Sequence, residues 1–275
     1  MVLNALGFGR QFNGKILGLY ALLAAALLPA QAAAHDFWIE PQIFRPAVGA
    51  KVPLRLLVGQ QFKGEPALYV PEQFERYIYV GPAGERNVEG TLGDDPAGSV
   101  PVAEPGLYIV GYFSKKFEVT FDSLAEFEKY LEMEGLERNL AIAKKRATLR
   151  SGILEIYTRC AKSLIQSGKR GAKADRVLGF PLELIPESNP YDGGPKLGVR
   201  LIYRNKPLEG ALVVAFNKES PTDRQRIRTD KDGRAVFELN KRGVWLITSV
   251  HQIPTSFLSR ADWESFWASL TFERP

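Results

Sequence analysis

The chain is cut into short runs of β-branched and aromatic residues by turns that carry glycine or proline, and that punctuation constrains the fold more than any other feature. Val52–Val58 alternates imperfectly and ends at Gly59, while Arg76-Tyr77-Ile78-Tyr79-Val80 is closed by Gly81-Pro82. Gly106–Tyr112 and Lys116–Phe121 follow the same pattern. Branched and aromatic side chains pack well on a pleated surface, so runs of this kind favour strands. Residues 35–122 therefore predict a β-sandwich.

The period changes at Ser123. Ser123 with Glu126 three positions on is a capping-box pattern, and Leu124, Phe127 and Leu131 recur at helical spacing until Gly135. A second helical stripe runs through Ile153, Ile156, Tyr157, Cys160 and Leu164. It sets Cys160 among apolar neighbours, a setting for a buried, inert thiol, with Lys162 pointing elsewhere. The link Pro186–Gly194 then leads back to strands at Leu197–Tyr203, Leu212–Asn217, Arg226–Thr229, Arg234–Leu239, Gly243–His251 and Ala268–Glu273. The predicted fold is mainly β: two immunoglobulin-like β-sandwich domains, 35–122 and 186–275, joined by a short helical segment within 123–185.

Residues 1–34 have the three parts of a removable export signal. Arg10 and Lys15 precede the apolar run Ile16–Leu28, which Pro29 breaks, and small residues follow to Ala34. The run is shorter than the roughly 20 residues a spanning helix needs. Cys160 is the sole cysteine, so no intramolecular disulfide forms and stability must come from burial. These features predict a periplasmic protein beginning at or beside His35. Arg10 and Lys15 are the only charged residues of the leader, so the net charge of +5 falls to +3 on its removal. A charge so small and dispersed argues against nucleic acid as a partner.

Only two histidines occur, His35 and His251. Cleavage after Ala34 would give His35 a terminal amine, which can chelate one metal ion together with the imidazole Nδ1. Cleavage after Ala32 would instead leave Ala33-Ala34-His35, whose amine, two amides and imidazole suit a square-planar copper(II) or nickel(II). His251 ends the strand Val244–His251 on the face of Trp245, Ile247 and Ser249, and is a candidate to complete a site with His35. Asp36, Glu40 and Asp262 are candidate carboxylate ligands by position, with Asp36 first. Trp38, Trp263 and Trp267 read as packing residues. No nucleophile elbow, phosphate-binding glycine loop or paired-cysteine zinc pattern is present.

Several segments resemble a known family. His35-Asp36-Phe37-Trp38-Ile39-Glu40-Pro41, Glu155–Lys162, Pro181–Pro186 and Asp262–Glu273 are similar to hallmarks of an exported nickel-uptake periplasmic family long filed as a domain of unknown function. The stretch from Asn205 to Ala235 also resembles a carboxypeptidase-regulatory-type sandwich, a non-catalytic module. The resemblance implies a periplasmic component of nickel or cobalt uptake that passes one divalent ion to an inner-membrane transporter, with His35 as first ligand. Two other readings follow from the residues. One is an oxidative copper enzyme with a histidine brace, and the other is a metal-free binding or scaffold module.

Overall fold

A strand buried on both faces is apolar at odd and even positions alike, and the longest strand of this protein is of that kind. The structure is a computed structural model that describes residues 35–147, 152–168, 175–256 and 258–275. The predicted leader, 1–34, lies outside the described residues. In chain order the first strands are β1 (Asp36–Pro41), β2 (Lys51–Gln60), β3 (Lys63–Ala67), β4 (Phe74–Gly81), β5 (Gly84–Asn87), β6 (Ser99–Pro101), β7 (Gly106–Ser114) and β8 (Phe117–Phe121). Helices α1 (Leu124–Met133) and α2 (Leu140–Ala147) come next. The rest is β9 (Ile153–Ser167), β10 (Leu182–Pro186), β11 (Lys196–Tyr203), β12 (Lys206–Pro207), β13 (Leu212–Asn217), β14 (Ser220–Arg228), β15 (Arg234–Glu238), β16 (Gly243–Pro254) and β17 (Trp263–Arg274).

These strands form a mainly β, sandwich-type fold around one large sheet. Nine strands make it, ordered β14-β13-β16-β17-β9-β7-β4-β5, with β8 also paired to β9. A sheet of β1, β2, β3 and β6 covers one face, and a sheet of β10, β11, β12 and β15 covers the other. Side-chain alternation along β9 shows the layering. Ala161 and Ile165 pack with Phe37, Ile39 and Leu54 of the first covering sheet. Cys160 and Leu164 pack with Leu182, Leu184 and Leu197 of the second. The helices lie on the β1 side, where Phe127, Tyr130 and Leu131 meet Ile153, Val250 and Trp263.

The structure corrects the predicted second helix: Ile153–Ser167 is β9, paired parallel to β17 and antiparallel to β7 and β8. A strand covered on both faces carries apolar residues at every parity, so a helical subset can be picked out of it by eye. The predicted connector 123–185 is therefore helical only in α1, α2 and a short 3-10 turn between them, and its remaining described residues include β9, an irregular stretch at 175–181 and the start of β10. The division into two sandwiches also changes, because the central sheet takes β4, β5, β7 and β8 from the first predicted domain and β13, β14, β16 and β17 from the second. From His35 onward the chain clusters as one unit. Trp263–Trp267, read as a closing element, is the first half of β17.

The first helix forms as expected. The Ser123 side chain caps α1 by accepting from the Glu126 N–H at 3.2 Å, and Gly135 reverses the chain at φ 69°. At the other end of the covering sheet, β1 is held from both sides. Trp38 is fully buried against Phe62, Phe216 and Leu246, and the Thr271 hydroxyl donates to the Ile39 carbonyl. A Cβ on Gly64 would stand 2.6 Å from the Trp38 ring, so only glycine admits the indole there. Truncating Trp38 removes the piece that joins β1 to β13 and β16. Trp38→Ala should lower folding stability by about 3–5 kcal/mol, read as a shift of the denaturant midpoint.

Candidate functional site

The site is built from the head of β1. His35 is exposed and Asp36, half-buried, is the first residue of the strand. Two residues further in, Trp38 and Ile39 are wholly buried. His35 is thus an exposed residue at the head of a clamped strand. Asp36 is pushed up to about 6 by burial, with the Arg224 guanidinium opposing the shift.

The C-terminal end of α1 lies close by. Glu134, its capping residue, is pushed up to about 8, mainly by burial and next by the Asp36 carboxylate, against Arg226 and Arg224. Arginines of β14 hold this helix end: Arg226 donates to the Met133 carbonyl at 3.1 Å and Arg228 to the Gly135 carbonyl at 3.1 Å. Cations placed on terminal carbonyls favour the helix macrodipole. Two carboxylates, Asp36 and Glu134, therefore share one neighbourhood next to His35.

Beneath them is a polar cluster that sequence reasoning missed. Glu155 is buried on β9 and accepts from Tyr130 Oη at 3.0 Å, from Gln252 Nε2 at 2.5 Å, and from the Ser265 hydroxyl. Asn139 extends the network by donating to Gln252 Oε1 at 2.9 Å. Burial raises Glu155 to about 7 even though all three donors favour the ionised form. The signal available in the sequence was a glutamate flanked by Ile153, Leu154, Ile156 and Tyr157, and its meaning depended on reading that run as strand.

The other predicted site residues are placed apart. His251 lies within β16, which runs on to Pro254 instead of ending at the histidine, on the face turned toward β11, where its ring centroid is 4.4 Å from that of Tyr203 at a tilt of 59°. Leu246, of opposite parity on the same strand, is the residue that packs with Trp38. His251 and β1 are thus on opposite faces of the central sheet. Arg138 Nη2 donates to His251 Nδ1 at 3.1 Å, which leaves the ring proton on Nε2. Burial, then the charges of Arg138 and Arg204, depress the imidazole to about 4. Glu40 accepts from Trp38 Nε1 at 3.2 Å and pairs with Lys218 at 2.6 Å, and Asp262 accepts the Leu154 N–H at 3.0 Å. Among the described residues no three His, Cys, Asp or Glu side chains converge as a metal-binding group.

Cys160 is buried and its thiol is pushed up to about 12 by that burial, as an inert core residue should be. Lys162 does not point elsewhere. In a strand, residues two apart share a face, so Lys162 lies on the Cys160 side, fully buried, 2.5 Å from Asp175 and 3.6 Å from Glu183. Glu183 also accepts the backbone N–H groups of Leu178, Gly179 and Phe180 at 2.7–2.8 Å.

The fold is that of a mainly β, sandwich-type protein with polar groups gathered at the head of its first strand. Its sequence matches, over residues 32–253, the family described as "Domain of unknown function (DUF4198)", and the chain belongs to that family. No curated protein matches it. Solved structures align over most of the chain at low similarity. The D0-D1 domain of intimin is 12% identical over 86% of this chain and 97% of that one, with TM-score 0.19. A tetra-tandem repeat from the extending region of a large adhesion protein is 12% identical over 87% and 49%, with TM-score 0.22. A Salmonella alpha-2-macroglobulin mutant is 12% identical over 86% and 15%, with TM-score 0.22. Likeness at this level carries no argument about function.

Two titrations follow from the geometry. Glu155 has a folded-state pKa of about 7 above its ordinary 4.5, so its stabilising contribution is complete below about 4.5 and lost as pH rises through about 7. Glu155→Gln should flatten the fall in stability across that window, measured by urea midpoints at stepped pH. The His251 ring, held near 4, should show no titration in its NMR resonances between about pH 8 and pH 5, whereas an ordinary histidine titrates near 6.5.

Proposed function

We propose that this protein is an exported carrier that captures one divalent transition-metal ion at His35, once the leader is removed, and delivers it to a membrane transporter for nickel or cobalt uptake. The observation that carries the reading is the position of His35, exposed and immediately before a strand whose third and fourth residues are fully buried. A terminal amine and imidazole there would be presented by a rigid support, which lowers the ordering cost of binding. Asp36 stands next to them as an oxygen ligand, and a bound cation would favour the ionised form of nearby Glu134, which burial holds at about 8. A chelate made mainly by one residue leaves coordination positions open, and exchange with a transporter needs open positions.

The placement of His251 favours this reading over the copper enzyme. A brace made from both histidines would require them on one side of the central sheet, and His251 packs against Tyr203 on the side away from β1. The metal-free scaffold reading makes no use of the terminal histidine.

The test is calorimetric titration of nickel, cobalt and copper(II) into protein purified from an exporting host, after intact mass has located the terminus. One-to-one binding is expected. His35→Ala should weaken it by more than about 100-fold, since losing even a second-sphere partner of a metal ligand costs about 10–100-fold. His251→Ala should leave it unchanged. Unaltered affinity in His35→Ala, or a terminus away from residues 33–35, would overturn the proposal.

A further inference from the structure

On the face of the central sheet away from β1, a cleft of about 420 Å³ opens at the end of the second covering sheet. Its volume falls in the range of small-molecule sites. Its walls are aromatic: Phe113 and Phe180 stack at 5.7 Å with an interplanar angle of 27°, and Phe266 faces them from β17. Its floor is β9, where Thr158 is 3% exposed and its hydroxyl has no hydrogen-bond partner among the described residues. A buried hydroxyl left without a partner costs free energy and calls for an explanation.

The rim is supplied by the β11–β12 hairpin. Arg204 and Asn205 form its two-residue turn with φ of 49° and 62°. Glycine or asparagine is the usual choice at both places, and arginine at the first is costly. The Arg204 side chain lies over the Tyr203 ring at 5.0 Å and lines the cleft, and no carboxylate among the described residues meets it. The other charges at the mouth, Lys116 and Glu264, neutralise each other at 2.8 Å. The cleft therefore offers one unspent cation at its rim, one unspent hydroxyl at its floor, and flat apolar walls between.

The site is also built to keep its shape. The segment carrying Phe180 is tied down by the three N–H groups that Glu183 accepts, with Lys162 behind it. Arg76 adds a hydrogen bond to the Leu178 carbonyl at 2.7 Å. A buried ion cluster inside a sandwich is expensive, and a single arrangement of one wall is what it secures here.

We propose that this cleft binds a small aromatic carboxylate bearing a second polar group, with the carboxylate on Arg204, the ring between the stacked Phe113–Phe180 pair and Phe266, and the polar group on the Thr158 hydroxyl. The cleft does not include His35, so this site stands or falls independently of the metal reading. The probes are 4-hydroxybenzoate, benzoate and 4-hydroxybenzamide, titrated into the protein from an exporting host and followed by amide chemical shifts. 4-Hydroxybenzoate should give saturable shifts at Phe113, Gly179 and Arg204, with a Kd of about 1 mM or tighter. The amide should bind at least about tenfold more weakly, and Arg204→Gln should weaken the acid by a similar factor. Thr158→Val should abolish the preference for 4-hydroxybenzoate over benzoate, with unchanged thermal unfolding showing that both variants fold. Absence of saturable shifts, equal binding of acid and amide, or an undiminished hydroxyl preference in Thr158→Val would each overturn the proposal.

Discussion

The parallel pairing of β9 with β17 is the interaction on which the rest of the structure depends. Its register runs from Glu155 opposite Trp263 to Ser163 opposite Thr271. The two strands lie more than a hundred residues apart in sequence, so forming the pair closes a long loop whose cost must be recovered by burial. It is recovered on both sides. Once β9 and β17 are joined, antiparallel neighbours extend the sheet in each direction, and two smaller sheets and a helical pair cover its faces. With no disulfide possible, this two-sided burial is what stabilises the chain.

A sheet covered on both faces has little room for polar groups, and the ones it keeps are informative. Glu155 is matched by three donors, and Lys162 by two carboxylates and the Arg176 carbonyl. Each group costs desolvation, and each ties a covering element to the sheet. Glu155 joins α1, β16 and β17 below the head of β1, and Lys162 joins β9 to the segment before β10. Both polar clusters thus lie beneath places where the surface carries polar groups, the head of β1 at His35 and Asp36 on one face and the aromatic cleft on the other.

Much of this was legible before the fold. Leu212–Asn217 was read as a strand with the bounds it has, the Ser123–Glu126 cap starts a helix, and Cys160 and Trp38 are buried. These readings succeed because alternation, caps and glycine turns are set by residues a few positions apart. The Ile153–Leu164 segment fails for the complementary reason: burial on both faces erases the period that separates strand from helix. The glycines that bound this segment, Gly152 and Gly168, and its branched residues Ile153, Ile156, Thr158 and Ile165 were the signals that favoured a strand.

The sequence by itself determined that this is a β-rich chain in which no intramolecular disulfide can form and in which only two histidines, His35 and His251, occur. Only the tertiary structure decided that strands from both halves share one sheet, and that the two histidines lie on opposite faces of it. It also decided that Thr158, Arg204 and three phenylalanines from distant segments meet around one cleft. The physical reason is that side-chain alternation assigns each residue to a face locally, while which strand lies beside it, and what covers that face, is settled by pairings across the whole chain.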